Sequence, residues 1–127
     1  MPGNWTKWKD FEADNFQYED SAGLYQVSMV DREGIATPIP RIGGDDPLGI
    51  LYIGQAKVLS ERLRQFFLES GAHSGAETLD LVWLRLRRRF GSIRLRFRVM
   101  RLNREQDPEV EERKHIQRYF HRYCEVP

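Results

Sequence analysis

The 127-residue chain has a single cysteine, Cys124. That excludes an internal disulfide and suits a reducing compartment. No apolar run approaches the roughly 18 residues that a membrane-spanning helix needs. Residues 1–16, MPGNWTKWKDFEADNF, lack the continuous apolar stretch of a secretory signal. The expectation is a cytoplasmic protein with no membrane partner. Lysine is scarce, four against sixteen arginines. Acidic residues are missing altogether from Leu81 to Arg104, a stretch with nine arginines at 85, 87, 88, 89, 94, 96, 98, 101 and 104. Net charge is nevertheless only +1, because the acids collect in 10–20, at Asp45 and Asp46, and in 105–112. Two readings stand side by side. Arginine's planar fork suits phosphate, and a basic stripe is the footprint of a nucleic-acid binder. Alternatively, the acidic segments neutralise the arginines within the fold.

The length suits one domain. Residues 1–22 are polar with five scattered aromatics, Trp5, Trp8, Phe11, Phe16 and Tyr18, and read as an irregular arm laid over the core of a 23–127 domain, since such rings are costly to leave in water. GLYQVSMV (23–30) reads as a strand ended by the turn signal DREG. Residues 38–49, dense in Pro, Gly and Asp, read as a loop. ILYIG (50–54) is a second short strand, followed by a helix over 57–69, a loop over 70–77 and a helix over 78–89 that stops near Gly91. In 92–102, Ile93, Leu95, Phe97 and Val99 alternate with Arg94, Arg96 and Arg98, the pattern of a half-buried strand. Asp107 followed by Pro108 opens a last helix that runs to 123. The order is β-β-α-α-β-α, an α+β chain with helices packed on a small sheet.

Two charged residues sit among apolar ones. At about 100° per residue, with Val58 at 0°, Arg62 falls near 40°, between Val58 and Phe66 at about 80°, while Arg64 points away near 240°. A guanidinium keeps its charge and must find an anion or strong acceptors when partly buried. Arg62 either pairs with a structural carboxylate, snorkels to water, or meets an anionic ligand. On the last helix Ile116, Tyr119, Phe120 and Tyr123 form the apolar face; with Ile116 at 0°, Glu112 lies near −40° and points inward, while Glu111 lies near 220° and is expected in solvent. Glu112 is either the partner of Arg62 or a ligand for a hard cation, since Mg²⁺ is often held by only one or two carboxylates plus waters.

GLY at 23–25, YIG at 52–54, an arginine ten residues after Tyr52 and a glutamate on a late helix together resemble the GIY-YIG nuclease superfamily, over about Gly23 to Tyr123. The resemblance implies a three-stranded antiparallel sheet flanked by helices. It also implies hydrolysis of a nucleic-acid phosphodiester, DNA before RNA, with a divalent metal, Mg²⁺ or Mn²⁺. By the same resemblance Tyr25 and Tyr52 are the motif tyrosines, one of which orients or deprotonates the attacking water, Tyr25 through a water or Tyr52 directly. Arg62 stabilises charge on the phosphorus and Glu112 binds the metal. Gly54 leaves room for backbone and phosphate to approach. Gln55, Lys57, Arg94, Arg96 and Arg98 are candidate nucleic-acid contacts. His73 resembles a histidine that other members place after this helix, as a second general base or a phosphate contact; an exposed loop histidine without a role is the other reading.

The chain also departs from the pattern. Gln55 and Phe66 stand where some members have lysine and histidine, and the segment between the two motifs is longer than in compact members. The family's C-terminal asparagine is replaced by Cys124, or else the sequence stops short of it. A catalytically impaired nucleic-acid-binding module is therefore the alternative reading. A protein-interaction domain, resting on the aromatic arm alone, is a third.

Overall fold

The computed structural model describes residues 4–11, 13–31, 33–69 and 94–127. The helix expected over 78–89, the loop with His73, and Arg85, Arg87, Arg88 and Arg89 lie outside the described residues. In chain order the elements are β1 (Lys9–Asp10), α1 (Ala13–Phe16), β2 (Gly23–Val30), β3 (Ile39–Arg41), β4 (Gly44–Asp46), β5 (Ile50–Ala56), α2 (Leu59–Glu69), β6 (Arg94–Arg101) and α3 (Pro108–Tyr123). The class is α+β, as expected. None of the described helices is long and apolar enough to cross a membrane.

The main sheet has four strands, ordered β1-β6-β2-β5, and every neighbouring pair is antiparallel. The sequence points to three. The fourth is β1, two residues of the arm that lie against Phe97 and Arg96 of β6. Thr6 ties the arm further along, donating its N–H to the Val99 carbonyl and accepting the Val99 N–H at its hydroxyl.

Strand β2 is buried at every position because both faces of the sheet are covered. On one face Tyr25 and Val27 pack with Phe97 and Val99 of β6, Leu59, Leu63 and Phe66 of α2, and Phe11 and Phe16 of the arm. The arm is thus part of the core, although Tyr18 stays exposed. On the other face α3 sets Ile116, Tyr119 and Tyr123 against Ile50 and Ile53 of β5, while Trp5 covers Leu24, Met100 and Leu102.

The start of α3 is built as its sequence predicts. Asp107 caps α3, its carboxylate accepting the Glu109 N–H, with Pro108 in the first turn. At the start of α2 the free N–H groups of Leu59 and Ser60 are taken by the arm carbonyls of Ser21 and Glu19.

The 38–49 segment corrects the sequence reading. It is a hairpin, β3 against β4, with Arg41 opposite Gly44 across a two-residue turn. What orders it is distant in sequence. Asp46 is buried, and its carboxylate accepts the Tyr119 hydroxyl at 2.6 Å, the Ile50 N–H at 2.9 Å and the Leu48 N–H at 2.9 Å. Arg41 donates to the Tyr119 hydroxyl and the Ile50 carbonyl and pairs with Glu125. The turn also fits the end of α3 closely. Gly43 donates its N–H to the Tyr123 carbonyl, and a Cβ at Gly43 would collide with the backbone of Arg122 and Tyr123. The 38–49 segment therefore fastens α3 onto β5.

This network yields a stability prediction. Tyr119→Phe removes one hydroxyl partner and costs about 1 kcal/mol, whereas Asp46→Ala strands several buried donors and costs about 3 kcal/mol or more. Urea unfolding measures both, as a lower midpoint at unchanged slope. Equal, small effects would mean that the hairpin adds nothing to the seating of α3.

Candidate active site

The register of β2 and β5 sets the site. Tyr25 lies opposite Gly54, and Val27 opposite Tyr52, before the pairing shifts at Ser28. Alternation therefore puts Tyr25 and Tyr52 on the same face, toward α2. Their rings lie 5.7 Å apart at 30°, with Phe66 of α2 beside both. Tyr25 is fully buried and Tyr52 half-buried.

Gly54 is needed for close approach, but the group that approaches is internal. A Cβ there would collide with Cζ and the hydroxyl oxygen of Tyr25. The space expected to admit a phosphate is filled by the tyrosine ring.

Arg62, on the first turns of α2, is half-buried at the border of the core. Its Nε donates to the Tyr25 hydroxyl at 3.3 Å and its Nη1 to Gln65 Oε1 at 2.9 Å. Burial, and then the neighbouring phenol of Tyr52, push the Tyr25 pKa far above the ordinary phenol range, with Arg62 pulling only partly the other way. Tyr25 is a neutral phenol at any working pH. Interaction with Tyr25 raises the Arg62 pKa, so the guanidinium stays charged.

A cleft of about 770 Å³ opens where β5 runs into α2 and the first turns of α3 come alongside. Tyr52, Arg62 and Glu112 all line it, with Gln55, Lys57 and Gln65. Tyr25 does not; it lies behind the wall, reached through Arg62. Arg62 and Glu112 are absent from the ion pairs among the described residues, so neither seals the other. Burial raises the Glu112 pKa first and the nearby Glu109 second, while Arg62 opposes them.

The cleft is more acidic than the sequence implied. Glu61, Asp107 and Glu109 join Glu112 on its lining, against only Lys57 and Arg62. Glu109 was visible in principle, one helical turn before Glu112, and Gln65 likewise one turn after Arg62. Among the described residues no three acidic, histidine or cysteine side chains converge into a metal-binding group. The donor set fits only an open cation site, with Glu112 and at most Glu109 supplying carboxylates and water or phosphate the rest.

The remaining candidates lie elsewhere. His73 and the Arg94 side chain are outside the described residues. Arg98 pairs in register with Gln26, and Arg96 with Ser28, which puts both on the sheet face opposite the tyrosines and away from the cleft lining. Glu111 is also corrected. It is not in solvent: its side chain is 18% exposed and pairs with Lys114. The helical angle considered only the face toward the sheet, but the arm covers this flank too, where Trp5 meets His115 edge-on at 5.6 Å.

No family model, no curated protein and no solved structure matches the chain.

The raised Glu112 pKa has a stability consequence. A carboxyl whose folded pKa exceeds its unfolded one adds stability fully present below the unfolded pKa and lost as pH rises through the folded pKa. Ionised Glu112 thus weighs against the fold near pH 7. Glu112→Gln is expected to melt at or above the wild-type temperature at pH 7, with the gain shrinking toward pH 4. A clear loss of melting temperature at pH 7 would make Glu112 a structural partner of Arg62 instead.

Proposed function

We propose that the chain is a metal-dependent endonuclease of the GIY-YIG type, hydrolysing a phosphodiester of nucleic acid, DNA before RNA. The observation that carries this reading is the convergence of Tyr52, Arg62 and Glu112 on one open cleft, with the Tyr25 hydroxyl bound to Arg62 behind it. The ordered resemblance of GLY, YIG, arginine and late glutamate supports it.

The roles follow from exposure and charge. Arg62 is anchored by Tyr25 and Gln65, interacts with Tyr52 as well, and lines the cleft, so it is the fixed cation that stabilises the charge developing on phosphorus. Tyr25 is a positioning residue that holds Arg62. Tyr52 lines the cleft and is the tyrosine that orients the attacking water. A phenol is a weak base at neutral pH, so this water needs further activation. Gln55 and Lys57 contact the backbone of the nucleic acid. Four carboxylates against two cations repel a polyanion, which gives the cleft a reason to take up a divalent cation first. Mg²⁺ or Mn²⁺ held by Glu112, with Glu109 beside it, would supply charge stabilisation to the leaving oxygen.

The second reading, a module that binds nucleic acid without cutting it, is favoured by one feature. Cys124 forms the C-cap of α3 at φ 58°, near where the resemblance calls for an asparagine.

Purified protein incubated with supercoiled plasmid and with RNA, in Mg²⁺, Mn²⁺ or EDTA, separates the two. Cleavage should need the metal, with DNA cut in preference to RNA. Arg62→Lys should lower the rate by about a hundredfold or more, the scale of losing one oriented donor to a transition-state oxyanion, and Tyr25→Phe by less. Retained binding with no cleavage under any metal leaves the binding module standing and ends the nuclease reading.

A further inference from the structure

On the sheet face away from the tyrosines, two guanidiniums and two indoles interleave. Arg98 Cζ lies 4.9 Å from the ring centre of Trp5 and 4.5 Å from that of Trp8, and Arg96 Cζ lies 4.6 Å from that of Trp8. Each arginine is also anchored across the strand. Arg98 Nε donates to Gln26 Oε1 at 2.7 Å and Arg96 Nε to Ser28 Oγ at 2.9 Å. Both acceptors are buried residues of β2.

Among the described residues this cluster has no anion. Among the described residues neither arginine is in an ion pair, and the Nη atoms of both have no hydrogen-bond partner. Asp10, the register partner of Arg96, does not pair with it. Arg101, one position past Met100, does find a carboxylate, Glu19, on the opposite face. Burial, together with the positive charge of Arg96, lowers the Arg98 pKa to about 10. Among the described residues no carboxylate compensates these two like charges, held side by side in a half-buried place. A purely structural arginine would be expected to find its carboxylate, as Arg101 does.

We propose that Arg96 and Arg98 form a two-guanidinium clamp for successive phosphates of one nucleic-acid strand, pre-set by Trp5, Trp8, Gln26 and Ser28. Anchoring through Nε leaves the Nη edge of each fork for an oxygen pair, the geometry in which arginine holds phosphate best. Residues two apart on a strand are separated by about 6.8 Å, so the forks engage two linked anions rather than chelating one free ion. The neighbouring indoles offer surfaces on which bases stack without regard to sequence. The clamp does not rest on the catalytic reading of the cleft, and it gives a part of the acid-free arginine stretch a ligand.

Binding of a fluorescein-labelled single-stranded dT20 by the full chain in EDTA, followed by anisotropy from 50 to 300 mM NaCl, tests this whether or not the protein cuts. Replacing both arginines by serine should weaken binding at least tenfold at 50 mM salt and lower the log–log salt slope by about 1.4, the value for two phosphates of a single strand. Trp8→Leu keeps every charge, so it should weaken binding severalfold at unchanged slope. Arg96→Lys with Arg98→Lys keeps charge and stems should serine unfold the sheet, and should weaken binding with the slope retained. Inorganic polyphosphate should compete less well per phosphate than unlabelled dT20. An unchanged slope in the serine variant, or wild-type affinity in both the Trp8 and the lysine variants, overturns the clamp. Equal competition by polyphosphate overturns the nucleic-acid assignment.

Discussion

The packing of the Tyr25 ring across Gly54 governs the half of the molecule that carries the cleft. It requires a residue without a side chain at one position of β5 and fixes which residue of β2 faces it. Once that register is set, Tyr52 falls on the same face two residues earlier, and the Tyr25 hydroxyl reaches the one arginine of α2 that borders the core. A methyl group at residue 54 would force the ring out of its place and take the arginine's anchor with it. The buried tyrosine thus links sheet register to the position of a charge at the surface.

The two walls of the cleft are held by unrelated means. The α2 wall depends on the arm, whose carbonyls take the first N–H groups of the helix and whose phenylalanines fill the core beneath it. The α3 wall depends on the β3–β4 hairpin, through Asp46, Tyr119 and Arg41. The two regions differ in charge as well. The cleft at the β5 edge gathers carboxylates, while β6, on the far side of β2, carries arginines beneath indoles. A polyanion is therefore attracted to the β6 region and, without a cation, repelled from the cleft.

Much of this was legible in the sequence, and the misses share a cause. Alternation in 93–99 and the Asp-Pro start at 107 located β6 and α3 because those signals are local. The angles of Arg62 and Glu112 were readable because a helix has a fixed period. The hairpin was not, because its Pro, Gly and Asp content reads as loop, and the group that buries Asp46 lies 73 residues away in sequence. Glu111 was misjudged because a helical angle cannot show that a second surface, the arm, covers another flank. Gly54 was understood as a place of close approach, yet only the strand register names Tyr25 as what approaches. The tryptophan partners of Arg96 and Arg98 were hidden for the same reason, since no local pattern joins residues 5 and 8 to a strand near residue 97.

That last pairing bears on how the chain comes to be made. Trp5 bridges Met100, and among the described residues the strand beside β1 is β6. Contacts so remote in sequence are the slowest to close. A ribosome delivers the arm before β6, so β2 and β5 can pair early while Trp5 and Trp8 wait in solvent for the strand they cover. Vectorial folding, N-terminal part first, is therefore denied to this chain. The arm is made before the strand it covers and is among the last parts to find its place, and in the interval its aromatic rings are exposed to chaperones and to other nascent chains.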